Sequence, residues 1–100
     1  MSRIIFHSGA EADLRAGVNY YEKERAGLGR EFRQAVEAAV WRIRQDPHMF
    51  PRHDETGIRK FVLRRFPFTI FFTEFHKNIW IAAVAHHKRH PDFWKNRRPE

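Results

Sequence analysis

The spacing of apolar side chains predicts two helices in the first half of the chain. Within residues 10–24 and 28–45, apolar positions recur every three or four residues, which is the period of one helix face. These positions are Leu14, Val18 and Tyr21 in the first segment, and Phe32, Ala35, Val36, Ala39, Val40 and Ile43 in the second. Asp46-Pro47 ends the second segment, because the residue before a proline is disfavoured in a helix. Only a short glycine-containing turn separates the segments, so they are predicted to form an antiparallel hairpin.

The first helix carries two local signals. Ser8 followed by Glu11 matches a capping box, in which each side chain bonds a free backbone N–H group at the helix start. Gly17 lies inside the helix, where glycine is about 1 kcal/mol less favourable than alanine. We therefore expect a close packing contact at Gly17.

The second half of the chain predicts a sheet. β-Prone runs occupy residues 58–63, 66–75 and 79–86, and a short one occupies residues 3–6. The polar break His76-Lys77-Asn78 predicts a tight hairpin turn between the last two runs. Alternation along a strand places Phe66, Phe68, Ile70 and Phe72 on one face, and likewise Ile79, Ile81, Ala83 and Ala85. The opposite faces carry Thr69, Phe71 and Thr73, and Trp80, Ala82 and Val84.

The order of elements, β-α-α-β-β-β, predicts a single α+β domain over residues 1–100. Its sheet is expected to have four mostly antiparallel strands, with the N-terminal strand joining at an edge. The helical hairpin should cover one face. The other face is also apolar, so we expect it to be partly covered or used for binding. Pro91 predicts a short C-terminal helix or turn that returns Phe93 and Trp94 to the sheet.

The charge balance is strongly basic. Nineteen Lys and Arg residues oppose twelve Asp and Glu residues, which gives a net charge of +7. Such a surface attracts nucleic acid or an acidic protein, although a solvated basic surface without a ligand has the same charge. The sequence has no cysteine, which excludes disulfides and thiolate chemistry and fits a cytoplasmic protein. No apolar run resembles a signal peptide or is long enough to span a membrane.

Several features occur in an order that resembles one known superfamily. They are the short first strand, the charged helical hairpin that ends in Asp46-Pro47, the strand Gly57-Ile-Arg-Lys-Phe-Val-Leu63, the phrase Arg65-Phe-Pro-Phe-Thr-Ile-Phe-Phe72, and Val84-Ala-His-His-Lys-Arg-His-Pro-Asp-Phe-Trp94. Together they resemble the RelE/ParE superfamily of toxins from bacterial type II toxin–antitoxin pairs. The resemblance implies a plasmid-stabilisation-like toxin that inhibits growth. It also implies a cognate antitoxin that wraps the toxin through an acidic or amphipathic segment.

The superfamily has two branches, and the resemblance implies a different target for each. ParE-like members poison DNA gyrase and need no nuclease site, whereas RelE-like members cut mRNA inside the ribosome. The two long predicted helices, the Asp46-Pro47 ending and Arg89-His90-Pro91 before Trp94 are similar to the ParE side, so a gyrase poison is favoured. A metal-independent, ribosome-dependent endoribonuclease is the alternative. A third alternative is an inactive basic module that only binds its partner or DNA.

For the ribonuclease alternative, the candidate catalytic residues are Arg65, His86, His87 and Arg89. Metal-free RNA cleavage needs a base for the 2′-hydroxyl proton, an acid for the leaving oxygen and cations beside the phosphorane. The two imidazoles titrate near neutral pH and could serve as acid or base. Glu55 and Lys60 are further candidates for a base. The structural alternative is a strand-end histidine bonded to a backbone group, with its neighbour in solvent.

For contact with nucleic acid or a partner protein, the candidate residues are Arg59, Lys60, Arg64, Arg65, Lys88, Arg89, His90 and Trp94. Partner carboxylates are expected to meet the arginines, while an apolar helix or strand of the partner buries the sheet edge or the less covered face of the hairpin. Histidines 86, 87 and 90 could be considered as zinc ligands, but no acidic ligand is fixed nearby and Pro91 interrupts any helix. No metal or other cofactor is therefore expected, and the sequence does not indicate an oligomeric state.

Overall fold

The computed structural model describes residues 2–99 and has the predicted α+β order. Its elements are β1 (Ile4–Phe6), α1 (Ser8–Glu24), α2 (Leu28–Gln45), a 3-10 turn at Pro47–Met49, β2 (Arg59–Val62), β3 (Phe68–Phe75) and β4 (Asn78–His86). The strand order is β1-β4-β3-β2, with β1 parallel to β4 and the other two pairs antiparallel. The N-terminal strand therefore lies at a sheet edge, as predicted. No helix in the described residues is long and apolar enough to cross a membrane.

The helical hairpin covers one face of the sheet and forms the main core. Phe32 and Ile43 of α2 are fully buried in one cluster with Phe72 and Ile81 of the sheet. Each such side chain stabilises the fold by roughly 1.5–3 kcal/mol through its burial. An added Cβ at Gly17 of α1 would lie 2.5 Å from the Phe32 ring. The close contact predicted at this glycine is therefore present, and it lets the two helices approach each other.

The start of α1 differs from the prediction. His7, not Ser8, occupies the N-cap position, and its Nδ1 accepts a hydrogen bond from the backbone N–H of Gly9 at 2.9 Å. Ser8 is the first residue of the helix. An imidazole nitrogen thus takes the role that Ser, Thr, Asn or Asp usually has at this position. The capping-box pattern does not include histidine, which is why it placed the cap one residue too late.

A β-bulge in β4 makes part of the face prediction wrong. Phe72 pairs with Ile81, but Phe71 pairs with Ala83, so Ala82 has no partner on β3. One extra residue reverses the alternation of the strand beyond it. The residues that change face are Val84, which joins the helix-covered core, and Ala83 and Ala85, which lie on the opposite face with Trp80. The predicted faces of β3 are confirmed.

We call the opposite face the back face, and the C-terminal residues cover it. Trp94 is only 4% exposed, and its ring stacks on Phe71 with 4.4 Å between the centroids. His53 packs edgewise on the same Phe71 ring at 4.9 Å. The C-terminal residues form successive turns in place of the short helix in the fold prediction. The second apolar face is therefore largely buried by the chain itself.

Candidate functional site

The two basic clusters lie at the same end of the sheet. Phe68 begins β3 and pairs with His86, which ends β4. The backbone N–H of His87 donates to the carbonyl of Pro67 at 2.9 Å, in the loop between β2 and β3 that also carries Arg64. The backbone thus brings the two clusters together, as expected from a hairpin. Their side chains, however, point to different partners.

In the loop between β2 and β3, one arginine is free and its neighbours are engaged. Arg65 forms an ion pair with Glu31 of α2. Its hydrogen bond holds the pKa of the Glu31 carboxyl below the ordinary value. Arg59 of β2 donates to the carbonyl of Phe50 at 2.7 Å and braces the preceding loop. Arg64 is exposed and makes no hydrogen bond or ion pair within the described residues. Among Arg59, Arg64 and Arg65, Arg64 is therefore the one most available to a partner.

An open groove of about 520 Å³ lies between α2 and β2. Its lining includes the apolar residues Ala35, Ala38, Ala39, Phe50, Phe61, Val62 and Leu63, and the basic residues Arg42, Lys60, Arg64 and Arg65. The side chain of Val62, on the outermost strand of the sheet, is 53% exposed. An apolar floor beside a sheet edge and under a basic rim has the chemistry to hold an amphipathic acidic segment.

At the end of β4, the two candidate imidazoles make structural contacts. His86 Nδ1 accepts a hydrogen bond from the backbone N–H of Lys88 at 3.0 Å, and its ring packs edgewise on Phe68. Burial lowers the pKa of His86, and the neighbouring positive charges of His87 and Lys88 lower it further. His87 Nε2 lies 3.0 Å from the hydroxyl oxygen of Thr69. The contacts of His86 are those of the structural alternative.

The other candidate residues do not converge on one reaction centre. Arg89 pairs with Asp13 of α1 at 3.2 Å, whereas Arg65 pairs with a carboxylate of α2. Glu55 is exposed in the loop before β2. Because Trp94 is buried, its ring packs in the back face and is not exposed for direct contact with a partner. Among residues 2–99, no group of three or more histidines and carboxylates is placed to hold a metal ion.

Comparison with known proteins identifies the family. A family model for the ParE toxin of type II toxin–antitoxin systems, parDE, matches residues 4–91. The chain belongs to the ParE toxin family. The predicted RelE/ParE superfamily is thereby confirmed. A chain in a solved structure titled "Chromosomal ParDE TA system from P. aeruginosa" is 25% identical, with a TM-score of 0.67 over 86% of this chain and 96% of that one. No curated protein matches the sequence.

One buried carboxylate of this ParE-family toxin, Asp13, joins three parts of the chain and was not among the residues predicted from the sequence. The side chain of Asp13 is only 4% exposed. Its Oδ2 accepts from the backbone N–H of Val84 at 3.1 Å and from Arg97 Nη1 at 2.8 Å. Its Oδ1 accepts from Arg89 and from the second Nη atom of Arg97. The buried charge is thus fully paired, as a buried carboxylate must be.

One sequence signal could have drawn attention to Asp13. It lies three residues after Ala10 and four before Gly17, which places it on the buried face of α1. A carboxylate on that face requires a buried cation or several N–H donors. The partners themselves could not be predicted, because they lie 71 and 84 residues further along the chain.

Proposed function

We propose that this ParE-family toxin blocks bacterial growth by poisoning DNA gyrase and that a cognate antitoxin neutralises it. Membership of the ParE family supports the gyrase target. The side-chain contacts support a mechanism without RNA cleavage, since Arg65 and Arg89 are paired with carboxylates on different helices and His86 bonds to a backbone group. These residues would have to exchange partners before they could surround a phosphodiester.

The groove between α2 and β2 is the proposed antitoxin site. An antitoxin segment with alternating apolar and acidic residues would cover Phe61 and the exposed Val62, and its carboxylates would meet Lys60 and Arg64. The single observation that carries this proposal is the meeting of an apolar floor, a sheet edge and a basic rim in one groove. The net charge of +7 would speed the association of an acidic partner.

Binding of the protein encoded beside the toxin tests the antitoxin site. We expect a complex at both moderate and high salt, and a roughly tenfold weaker one for the double variant Lys60→Glu, Arg64→Glu at moderate salt. The double variant Arg30→Glu, Arg33→Glu is the matched control with the same charge change, because these exposed arginines of α2 do not line the groove. No complex at either salt would refute the toxin–antitoxin assignment. Equal weakening by the control would refute this groove as its site.

Induction of the toxin in bacteria tests the target. DNA breaks with SOS induction, together with gyrase–DNA cleavage complexes formed by the purified toxin, are expected if gyrase is poisoned. Codon-linked mRNA cuts with intact DNA would instead establish the ribosome-dependent nuclease. The double variant His86→Ala, His87→Ala should keep its toxicity in the first case and lose it in the second. Absence of any growth effect would favour the inactive binding module.

A further inference from the structure

The C-terminal strap, residues 90–98, is attached to the toxin without backbone pairing to the sheet. Its backbone N–H bonds run from Phe93 to His90, from Lys95 to Asp92 and from Arg97 to Trp94. Within the described residues, no backbone hydrogen bond joins this strap to another element. Most of it also lies beyond residue 91, where the match to the family model ends. A segment held only by side chains can separate from its support as one unit.

Phe93 packs against the back-face cluster, and two further side chains anchor the strap to the rest of the domain. The first is Trp94, whose ring stacks on Phe71. The second is Arg97, which donates to Asp13 and also to the carbonyl of Ala82 at 2.9 Å. A Cβ atom at Gly9 would lie 2.5 Å from the Arg97 guanidinium, so the glycine leaves room for this second anchor. We call the Asp13–Arg97 ion pair, which joins the strap to α1, the latch.

The closed strap also carries an unfavourable feature. The indole N–H of Trp94 is buried and has no acceptor within the described residues. A buried donor without an acceptor has lost its hydration without compensation, and opening the strap would restore it. Opening would not leave Asp13 alone, because the Val84 N–H and Arg89 remain as its partners. The closed and open forms are thus closer in free energy than the burial of a tryptophan alone would imply.

We propose that the strap opens about the exposed turn at residues 87–90 and uncovers the back face while the helix-covered core stays folded. The strength of the latch sets the fraction of molecules in which the strap is open. Trp80 and Ala83 of the back face, which are 4% and 0% exposed in the closed form, would then become accessible in the open form. Opening of the strap does not depend on the proposed gyrase target or on the antitoxin groove. That groove lies between α2 and β2, away from the strap.

Thiol labelling tests the proposal directly, because the chain has no native cysteine. Ala83→Cys places a thiol at a fully buried position of the back face, in the same cluster as Trp94. Ala10→Cys is the matched control in the helix-covered core, because Ala10 is fully buried and does not line the groove between α2 and β2. We expect the thiol at position 83 to react with an aromatic disulfide reagent at least about tenfold faster than the thiol at position 10, since only the former is reached by local opening.

The latch is tested by adding Arg97→Ala to each cysteine variant. We expect at least about tenfold faster labelling at position 83 and a smaller change at position 10. Equal rates at the two positions, or equal acceleration of both, would overturn the proposal, because both results mean that only global unfolding exposes the back face. If Arg97→Ala does not fold, hydrogen exchange of the unmodified chain decides. Amides of Phe93, Lys95 and Arg97 that exchange only at the global unfolding rate would likewise overturn it.

Discussion

Replacing Asp13 by asparagine is the sharpest test of how the toxin is held together. Asparagine keeps the shape of the side chain and one acceptor oxygen, so the Val84 N–H can still be satisfied. The charge is lost, and an amide NH₂ group now faces the guanidinium groups of Arg97 and Arg89. The loss of the negative charge affects Arg97 more than Arg89, because the side chain of Arg97 is only 16% exposed whereas that of Arg89 is 50% exposed.

The size of the effect follows from the burial of the pair. Removing one partner of a fully buried ion pair costs about 3–5 kcal/mol, because the other charge is left without compensation. Arg97 keeps its bond to the carbonyl of Ala82 and can move into solvent, which reduces the loss. We therefore expect Asp13→Asn to lower the free energy of unfolding by about 2–4 kcal/mol. For a domain of this size, that loss lowers the melting temperature by at least about 8 °C.

Urea unfolding followed by circular dichroism measures the loss, and Asp92→Asn is the matched control. Asp92 pairs with Lys95 at 3.0 Å, but both side chains are about half exposed. Such a surface pair contributes about 0–1 kcal/mol, so the control should be nearly as stable as the parent. A loss below about 1 kcal/mol for Asp13→Asn, or an equal loss for the control, would refute the claim that this buried carboxylate is a main link in the fold.

Three further outcomes are expected. Gly17→Ala should destabilise the toxin by about 1–3 kcal/mol in urea unfolding, although alanine is the better helix former, because its Cβ overlaps the ring of Phe32. Burial depresses the pKa of His86, so the unfolded chain binds more protons than the folded chain when the pH falls through the ordinary histidine range. The free energy of unfolding should therefore decrease over that range, and His86→Asn should flatten this part of the stability profile. Arg65→Ala should raise the pKa of Glu31 towards its ordinary value in an NMR titration, since the lowered pKa depends first on the hydrogen bond from Arg65. A Gly17→Ala variant as stable as the parent, an unchanged pH profile or an unmoved titration would contradict the respective contact.

The sequence predicted the elements well because their signals are local. The helix-period stripe over residues 28–45 matches α2 at both ends, since Asp46-Pro47 stops the helix. The hairpin turn was placed correctly because His76 and Lys77 form a polar break, and both adopt the positive φ that a two-residue hairpin loop requires. The resemblance to the superfamily lies in the same kind of local signal, namely short sequence phrases in a fixed order.

Which of the candidate residues are available to a partner could not be predicted, because availability depends on contacts between distant residues. Arg59, Arg64 and Arg65 were equivalent as cations in the sequence. In the structure, Arg59 bonds to a backbone carbonyl and Arg65 to Glu31, which leaves Arg64 as the free member. Trp94 appeared as an aromatic that could meet a partner, but the length of the turn after Pro91 brings it onto Phe71. No pattern within a few residues of these side chains predicts either the pairing of the arginines or the burial of Trp94.

Three features that the sequence did not predict are parts of one arrangement: the bulge in β4, the buried Asp13 and the role of Arg97. β1 ends at Phe6, which leaves β4 without a neighbouring strand beyond Ile81. On that open edge, Asp13 accepts from the N–H of Val84 and Arg97 donates to the carbonyl of Ala82, the bulged residue. These two side chains supply the acceptor and the donor that a further strand would supply, and an edge covered in this way is protected from pairing with another chain. Beyond the bulge, Val84 points into the helix-covered core. The alternation of β4 therefore reverses at the point where its edge stops pairing with β1 and begins to bond to Asp13 and Arg97. A substitution at either Asp13 or Arg97 therefore affects the sheet edge as well as the C-terminal strap.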